Sequence, residues 1–226
     1  MANTIEETLN GGYGGLLWEV VNDDCYKLKE LDFIPDTIFD LGCNVGVFSS
    51  YARTLFPNAE IIAVEPEDEN WTNYFHFFAA QDKNTTLLKK AIGRGEMYRH
   101  IKIPNGAHQY FVCEGLGYTR ANLETNPDVE KKEIQTVMPD FLVTRYAKGK
   151  TLMKIDIEGA ETEIFNHYPS MVALKTMDYL AIEIHYHAQD GSLYEGVKQK
   201  TLDAMKYFED THVCSYVHPI FYATKK

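Results

Sequence analysis

The stretch that most limits the fold of this chain is residues 37–49, which read Thr-Ile-Phe-Asp-Leu-Gly-Cys-Asn-Val-Gly-Val-Phe-Ser. An apolar strand leads into a turn with two glycines, and a helix follows at once. This layout is typical of the first strand of a wound α/β sheet, where a helix N-terminus faces a nucleotide-type ligand. We therefore expect a ligand site at the carboxyl end of this strand.

The spacing of the glycines indicates which ligand the turn binds. A dinucleotide site has the pattern G-x-G-x-x-G around a pyrophosphate, whereas only Gly42 and Gly46 occur here, preceded by Asp40. A carboxylate at that point would repel a pyrophosphate and attract an ammonium group. S-adenosylmethionine (SAM) carries an ammonium group and no phosphate. The spacing therefore favours SAM over a nicotinamide cofactor, and a methyltransferase over an oxidoreductase.

A second apolar run, residues 59–64, ends at Glu65 and Pro66. An acid at the tip of the second strand, roughly 20 residues past the glycines, is placed to accept both ribose hydroxyls. Pro66 removes a backbone donor and fixes the chain as it leaves the strand. The alternative interpretation is an ordinary turn with two solvated carboxylates.

Strand and helix patterns alternate along most of the 226 residues. This alternation predicts one α/β domain, a mostly parallel sheet with helices on both faces. An N-terminal helical segment, residues 1–33, is expected to hold a helix over 16–31. A helix over 70–81 carries aromatic side chains that we expect in the core, namely Trp71, Tyr74, Phe75, Phe77 and Phe78.

Residues 94–135 break the alternation and are too long for a plain connection. The pattern predicts a hairpin around residues 104–106, followed by a polar loop with Gly115 and Gly117. We expect this excursion to act as a mobile lid that forms part of the acceptor site, with Tyr110, Tyr118, Arg120 and His108 as its candidate side chains.

The formal net charge of -11 disfavours broad electrostatic binding to nucleic acid or to an anionic membrane, because both need a basic face. No apolar run approaches the ~20 residues that cross a bilayer, and the acidic N-terminus is unlike a secretion signal. The cysteines form no C-x-x-C pair and are expected to be free thiols in a reducing, cytoplasmic compartment. They are Cys25, Cys43, Cys113 and Cys214.

A second group of charged residues follows two later strands. Lys154 and Asp156 are two apart and point to the same side of one strand, as do Glu183 and His185 on the next. Glu158 follows directly after Asp156. A lysine within a central strand is costly to bury unless it is paired. One interpretation is a structural ion pair of Lys154 with Asp156 or Glu183; the other is a polar wall beside the reacting methyl group.

Methyl transfer requires an enzyme to orient the acceptor and remove a proton. Histidine suits proton removal near neutral pH, and His185 is the preferred base over the weaker candidates His100, His108 and His187. Asp156, Glu158 and His185 together have the donor types for a divalent cation. Because they show no defined ligand spacing, we predict no metal site.

Five blocks of the sequence resemble the FkbM-type SAM-dependent methyltransferases, over roughly residues 34–187. The blocks are residues 39–46, 64–66 with Asn70, 90–93, 154–161 and 182–185. The resemblance implies a class I methyltransferase fold, a seven-stranded sheet whose last strand is antiparallel. It also implies O-methylation of a hydroxyl on a sugar or natural-product-like small molecule.

The same resemblance implies a role for each matched residue. The methionine end of SAM would lie on Asp40, Gly42, Asn44 and Gly46, the ribose on Glu65, and the adenine beside Ala91 and Ile92. Cys43, where the family commonly has alanine, is small enough to lie beside the ligand. Pro66, directly after Glu65, is also a predicted cofactor-binding residue. The candidate catalytic set, which rests on the strand-tip positions described above and not on the resemblance, is Lys154, Asp156, Glu158 and His185.

Two other functions stay open at this stage. The chain could be a non-catalytic SAM-binding partner subunit, which the complete set of acids at the strand tips disfavours. It could also methylate a macromolecule, which the acidic charge disfavours. The sequence does not indicate an oligomeric state.

Overall fold

The structure is a computed structural model, and it describes residues 14–94, 97–100, 110–112, 125–185 and 195–226. Its strands are β1 (Thr37–Leu41), β2 (Glu60–Val64), β3 (Thr85–Leu88), β4 (Ala91–Ile92), β5 (Met97–His100), β6 (Tyr110–Val112), β7 (Val129–Lys132), β8 (Thr136–Val137), β9 (Thr151–Ile155), β10 (Tyr179–Glu183), β11 (His212–Val217) and β12 (Ile220–Lys225). Its α-helices are α1 (Gly14–Leu17), α2 (Val47–Leu55), α3 (Asp68–Tyr74), α4 (Pro139–Tyr146), α5 (Glu161–Phe165), α6 (Tyr168–Leu174) and α7 (Glu195–Phe208).

Seven strands form the main sheet in the order β11-β12-β10-β9-β1-β2-β3. The five neighbouring strands β10, β9, β1, β2 and β3 run parallel to one another, and β12 pairs antiparallel with β10. This is the predicted class I arrangement, with helices packed on both faces. All five residues of β1 and of β9 are buried, as a parallel sheet covered on both sides requires.

The two faces of β1 have different roles. Phe39 and Leu41 contribute to the apolar core on one face, together with residues of β10 and α7. Ile38 contributes to the core on the other face, with residues of α2 and of the N-terminal segment. Since side chains alternate along a strand, Asp40 shares the face of Ile38 and lies beneath the N-terminal segment.

The predicted N-terminal helix over 16–31 is wrong in its extent. Helix α1 continues only as a π-helical turn, Trp18–Asn22, and a 3-10 turn follows at Leu28–Glu30. The carboxylate of Asp24 accepts hydrogen bonds from the backbone N–H groups of Leu28 and Lys29, at 3.0 and 2.9 Å. This local capping competes with helix continuation and turns the chain back over the sheet.

The expectation that all the aromatic residues of the 70–81 helix lie in the core is also wrong. Tyr74 is fully buried, but Phe75 and Phe77 are 40% and 39% exposed. Trp71 stacks on Phe75 with their ring planes 2° apart, four residues along the helix. The helix ends at Tyr74 and continues as a π-helical turn, Phe75–Ala79, so these rings do not all share one face.

The segment expected to break the sheet order does so. β4 leaves the main sheet and pairs with β8, so residues 85–92 form two strands that belong to different sheets. β5 pairs antiparallel with both β6 and β7, which makes a separate three-stranded sheet from the predicted hairpin and one further strand. The residues of the predicted hairpin turn and polar loop, including His108, Tyr118 and Arg120, lie outside the described residues.

Among the described residues, none of the helices has both the length and the apolar character needed to cross a bilayer. Cys25, Cys43 and Cys214 are free thiols, as predicted; Cys113 lies outside the described residues.

Candidate active site

The glycine turn adopts a backbone that only small residues tolerate. Gly42 and Gly46 have φ angles of +80° and +91°, and Asn44 between them has +50°. A Cβ atom on Gly42 would lie 1.7 Å from the carbonyl oxygen of Asp156, and one on Gly46 would lie 2.6 Å from the ring of Tyr74. Both glycines are therefore required by the close approach of neighbouring chain.

Glu65 connects the tip of β2 to this turn. Its Oε2 accepts the backbone N–H of Asn44 at 2.9 Å, and its Oε1 accepts the backbone N–H of Glu67 at 2.9 Å. The Asn70 side chain lies 3.5 Å from the same Oε1. Burial raises the pKa of Glu65 to about 7, against the lowering effect of these hydrogen bonds. Oε2 accepts only one of these bonds and keeps a second lone pair for a ligand hydroxyl.

Lys154 forms an ion-pair network beneath the turn, and Asp40 belongs to it. The Nζ atom of Lys154 lies 3.4 Å from Asp40 Oδ1 and 3.3 Å from Asp156 Oδ2. The same atom donates a hydrogen bond to the Gly42 carbonyl at 2.7 Å. Ser49 donates to Asp40 Oδ2 at 2.6 Å. The second acid is therefore Asp40 and not the predicted Glu183, because Asp40 and Lys154 are register partners on β1 and β9.

The network has strongly perturbed ionisation. Burial alone would lower the pKa of Lys154, but the carboxylates of Asp156 and Asp40 raise it, so the lysine stays charged. Burial raises the pKa of Asp40 in spite of Lys154. Burial would also raise the pKa of Asp156, but Lys154 and His185 lower it. Asp40 is fully buried and offers no open surface for direct contact with a ligand.

Tyr26, from the N-terminal segment, covers these acids, and no sequence motif predicted this position. Its hydroxyl lies 3.3 Å from both Asp156 Oδ2 and Glu183 Oε2, and its ring is 3% exposed. The ring packs edge-on against Phe48 and under the Lys154 ammonium. The turn capped by Asp24 is what delivers Tyr26 to this position.

His185 stands among carboxylates at the tip of β10. Its Nδ1 lies 3.1 Å from Oε1 of Glu161, a residue of α5 that is fully buried. Its Nε2 lies 3.6 Å from Glu158 Oε2, and 3.8 Å from both Asp156 Oδ1 and Glu183 Oε1. The three residues predicted to face the acceptor, Asp156, Glu158 and His185, are therefore brought together.

The carboxylates around His185 stabilise the protonated form of its ring, whereas a general base must be unprotonated. Burial alone would lower the pKa of His185, but the neighbouring carboxylates, chiefly Glu161, raise it well above its ordinary value. Burial raises the pKa of Glu183 to about 7, and Asp156 adds to that shift. The raised pKa of His185 favours the protonated form of its ring.

The remaining predicted cofactor residues lie around the turn and the β3 edge. Cys43 is buried, and burial raises the pKa of its thiol well above the ordinary value. Ala91 and Ile92 are buried in β4, which begins shortly after the end of β3. β3 pairs with β2, the strand that ends directly before Glu65. The Asn44 Oδ1 atom is buried and has no hydrogen-bond partner among the described residues, as expected for a turn that receives a polar ligand group.

The opposite edge of the sheet has a cleft of about 480 Å³ with a different character. Its walls include Asp36, Glu60 and Lys148 at the amino ends of the strands. Lys148 pairs with Glu60 at 2.8 Å, and Asp36 accepts the backbone N–H of Lys150 at 2.8 Å. The charged side chains of this cleft therefore connect neighbouring segments of the chain. The acids of the candidate site lie at the opposite, carboxyl edge of the sheet.

Comparison with known proteins agrees with this geometry. The family model described as the methyltransferase FkbM domain matches residues 40–216. The chain belongs to the FkbM methyltransferase family. It is 26% identical over 173 residues to the methyltransferase sdnD of Sordaria araneosa, covering 65% of each chain, just under two thirds of that relative's length. It is 22% identical over 221 residues to the 31-O-demethyl-FK506 methyltransferase FkbM of Streptomyces tacrolimicus, covering 84% of this chain and 80% of that one.

A solved structure confirms the fold of this FkbM-family chain. A crystal structure of a Clostridium thermocellum protein, provisionally named an rRNA methylase, superposes with a TM-score of 0.51 at 12% identity. The match covers 90% of this chain and 94% of that one. At such identity the likeness shows the fold alone. The class I SAM methyltransferase fold and the family implied by the sequence blocks are both confirmed.

Proposed function

We propose that this methyltransferase uses SAM to methylate a hydroxyl group of a small, natural-product-like acceptor. The observation that carries the proposal is the bond from Asn44 N–H to Glu65, which brings an acid onto the glycine turn at the carboxyl edge of the sheet. Open α/β sheets bind ligands at that edge. The FkbM relative, whose name gives 31-O-demethyl-FK506 as its substrate, supports a hydroxyl acceptor.

Each part of the edge has an assigned task in this proposal. Glu65 would accept the ribose hydroxyls, and Asn44 with the two turn glycines would hold the methionine end. SAM supplies an activated methyl group, so the chain needs only to position the acceptor and handle its proton. Asp156 and His185 would contact the acceptor hydroxyl, and Lys154 would hold Asp156 in place.

The excursion at residues 94–135 is proposed to shape the acceptor site. Its two ends are tied to helices on either side of the carboxyl edge. Arg94 lies 3.6 Å from Glu163 on α5, and Lys132 lies 3.5 Å from Asp68 on α3. The pairing of β4 with β8 closes the base of the excursion. The described ends of the excursion are therefore anchored to the helices that follow β2 and β9, the strands that carry the cofactor acids and the acceptor acids in this proposal.

Two measurements test the function. Calorimetry with SAM should give one site, and Glu65→Ala should weaken SAM at least about tenfold, since charge-assisted hydrogen bonds are worth about 1.5–3 kcal/mol each. Glu209→Gln, an exposed acid at the far edge, is the control.

Transfer of labelled methyl from SAM to hydroxylated macrolides, sugars and peptides should then identify the acceptor class. SAM binding without transfer to any acceptor would support a non-catalytic partner subunit. Transfer to RNA or protein alone would contradict a small-molecule acceptor.

A further inference from the structure

The three acceptor-facing groups have a geometry that goes beyond orienting a hydroxyl. One ligand atom from each of Asp156, Glu158 and His185 lies within 4.8 Å of the other two. The distances from His185 Nε2, 3.8 Å to Asp156 and 3.6 Å to Glu158, are too long for hydrogen bonds. Ligand atoms that share a cation at about 2.1 Å each stand roughly 3–3.5 Å apart, so small side-chain rotations would close the set.

The histidine is held as metal-binding histidines are held. Its Nδ1 is bonded to Glu161, and Glu161 Oε1 also accepts the backbone N–H of Ile157 at 3.1 Å. This buried carboxylate fixes the ring with Nε2 directed at Asp156 and Glu158. A carboxylate behind a ligating histidine sets the tautomer and raises the basicity of the ligand nitrogen.

The local charge also calls for a cation. Three carboxylates, those of Asp156, Glu158 and Glu183, stand within 3.8 Å of one imidazole nitrogen. Lys154 lies on the other side of Asp156 and is shared with Asp40. A divalent cation bound here would offset the repulsion among these carboxylates.

We propose that Asp156 Oδ1, Glu158 Oε2 and His185 Nε2 bind one divalent cation of the Mn²⁺ class beside the acceptor. Two carboxylate oxygens and one imidazole suit Mn²⁺ better than a soft, thiolate-preferring metal. Three protein ligands leave coordination positions open, as in catalytic sites, and an acceptor hydroxyl can occupy one of them. This inference deepens the proposed function and revises the sequence-based prediction of no metal.

Titration of the full chain, freed of metals by chelator and exchanged into buffer, tests the site without any turnover. We expect one equivalent of Mn²⁺ to bind, with loss of the free-ion electron paramagnetic resonance signal. Electron spin echo modulation should show one coupled histidine nitrogen. His185→Gln should abolish that coupling, and Glu158→Gln should weaken Mn²⁺ at least tenfold. Glu209→Gln, an exposed acid at the other edge, should leave Mn²⁺ affinity unchanged.

Each other outcome has a defined meaning. Absence of one-to-one binding up to millimolar Mn²⁺, or binding unaffected by both variants, would overturn the site. If His185→Gln does not fold, Glu158→Gln decides, because its side chain is 45% exposed. SAM affinity, measured separately by calorimetry, distinguishes the failures, since a chain that binds SAM but no Mn²⁺ refutes only this proposal.

Discussion

The Lys154 ammonium lies 2.7 Å from the carbonyl oxygen of Gly42, so one buried charge joins the acid-bearing strand to the glycine turn. The same ammonium pairs with both Asp40 and Asp156. The glycine turn and the acid at the tip of β9 therefore depend on a single side chain.

Replacing Lys154 with methionine should lower the free energy of unfolding by about 3–5 kcal/mol, because two buried carboxylates lose their counter-charge. Urea denaturation measures this loss. Lys150→Met is the matched control, since Lys150 pairs with Asp178 at 2.8 Å from an exposed position and its loss should lower the free energy of unfolding far less. Equal stability of the two variants would refute a stabilising role for the buried network.

Glu65 should make stability depend on pH. Its pKa is about 7 in the folded chain and 4.5 ordinarily, so the folded state holds this proton more tightly. The contribution of Glu65 to the free energy of unfolding is therefore fully present below about pH 4.5 and is lost as the pH rises through 7. The total loss is on the order of 3 kcal/mol. Urea midpoints at pH 5 and pH 8 should differ less in Glu65→Gln than in the parent chain. An identical difference in both chains would contradict the assignment.

Gly42→Ala should destabilise the chain by at least about 2–3 kcal/mol, because the turn needs a positive φ and the new methyl group would meet the Asp156 carbonyl. Thermal melting measures the loss, and SAM affinity should fall with it. Gly15→Ala is the control, since a Cβ there meets nothing within 4 Å and Gly15 lies in a helix. Unchanged melting of Gly42→Ala would show that the turn can rearrange.

His185→Ala should reduce turnover by about 10²–10⁴, the usual cost of losing a group that handles the acceptor proton, while SAM affinity stays within a few-fold. Steady-state rates and calorimetry separate the two effects. His167→Ala, a half-buried histidine bonded to Ser170, should leave both quantities unchanged. Turnover retained in His185→Ala would remove this residue from the reaction.

Tyr26→Phe should lower turnover more than SAM affinity, because the lost hydroxyl faces Asp156 and Glu183 and not the glycine turn. The free energy of unfolding should fall by only about 0.5–1.5 kcal/mol, since the ring contact with Phe48 is kept. Tyr207→Phe, on α7, is the comparison. A parallel loss of SAM affinity in Tyr26→Phe would place the hydroxyl in the cofactor site instead.

The main sheet could be predicted because each of its strands is an apolar run that ends in turn residues. Glu65, Asp156 and His185 were found for the same reason, since each follows such a run. Tyr26 could not be found, because its position depends on a local bond from Asp24 that ends a helix the periodicity had extended. Lys154 pairs with Asp156, one of its two predicted partners, but its second partner Asp40 was missed because the register between β1 and β9 is a long-range property.

The pairing of Ala91 with Thr136 gives the excursion neighbouring points of departure and return. Exchange of the segment between them would leave the sequence of the main sheet, the glycine turn and the acids unchanged. If the excursion shapes the acceptor site as proposed, a chimera that carries the corresponding segment of another FkbM-family enzyme would join a foreign acceptor preference to this chain's own cofactor turn. Such an exchange offers a route to altered regioselectivity that leaves the buried charge network untouched.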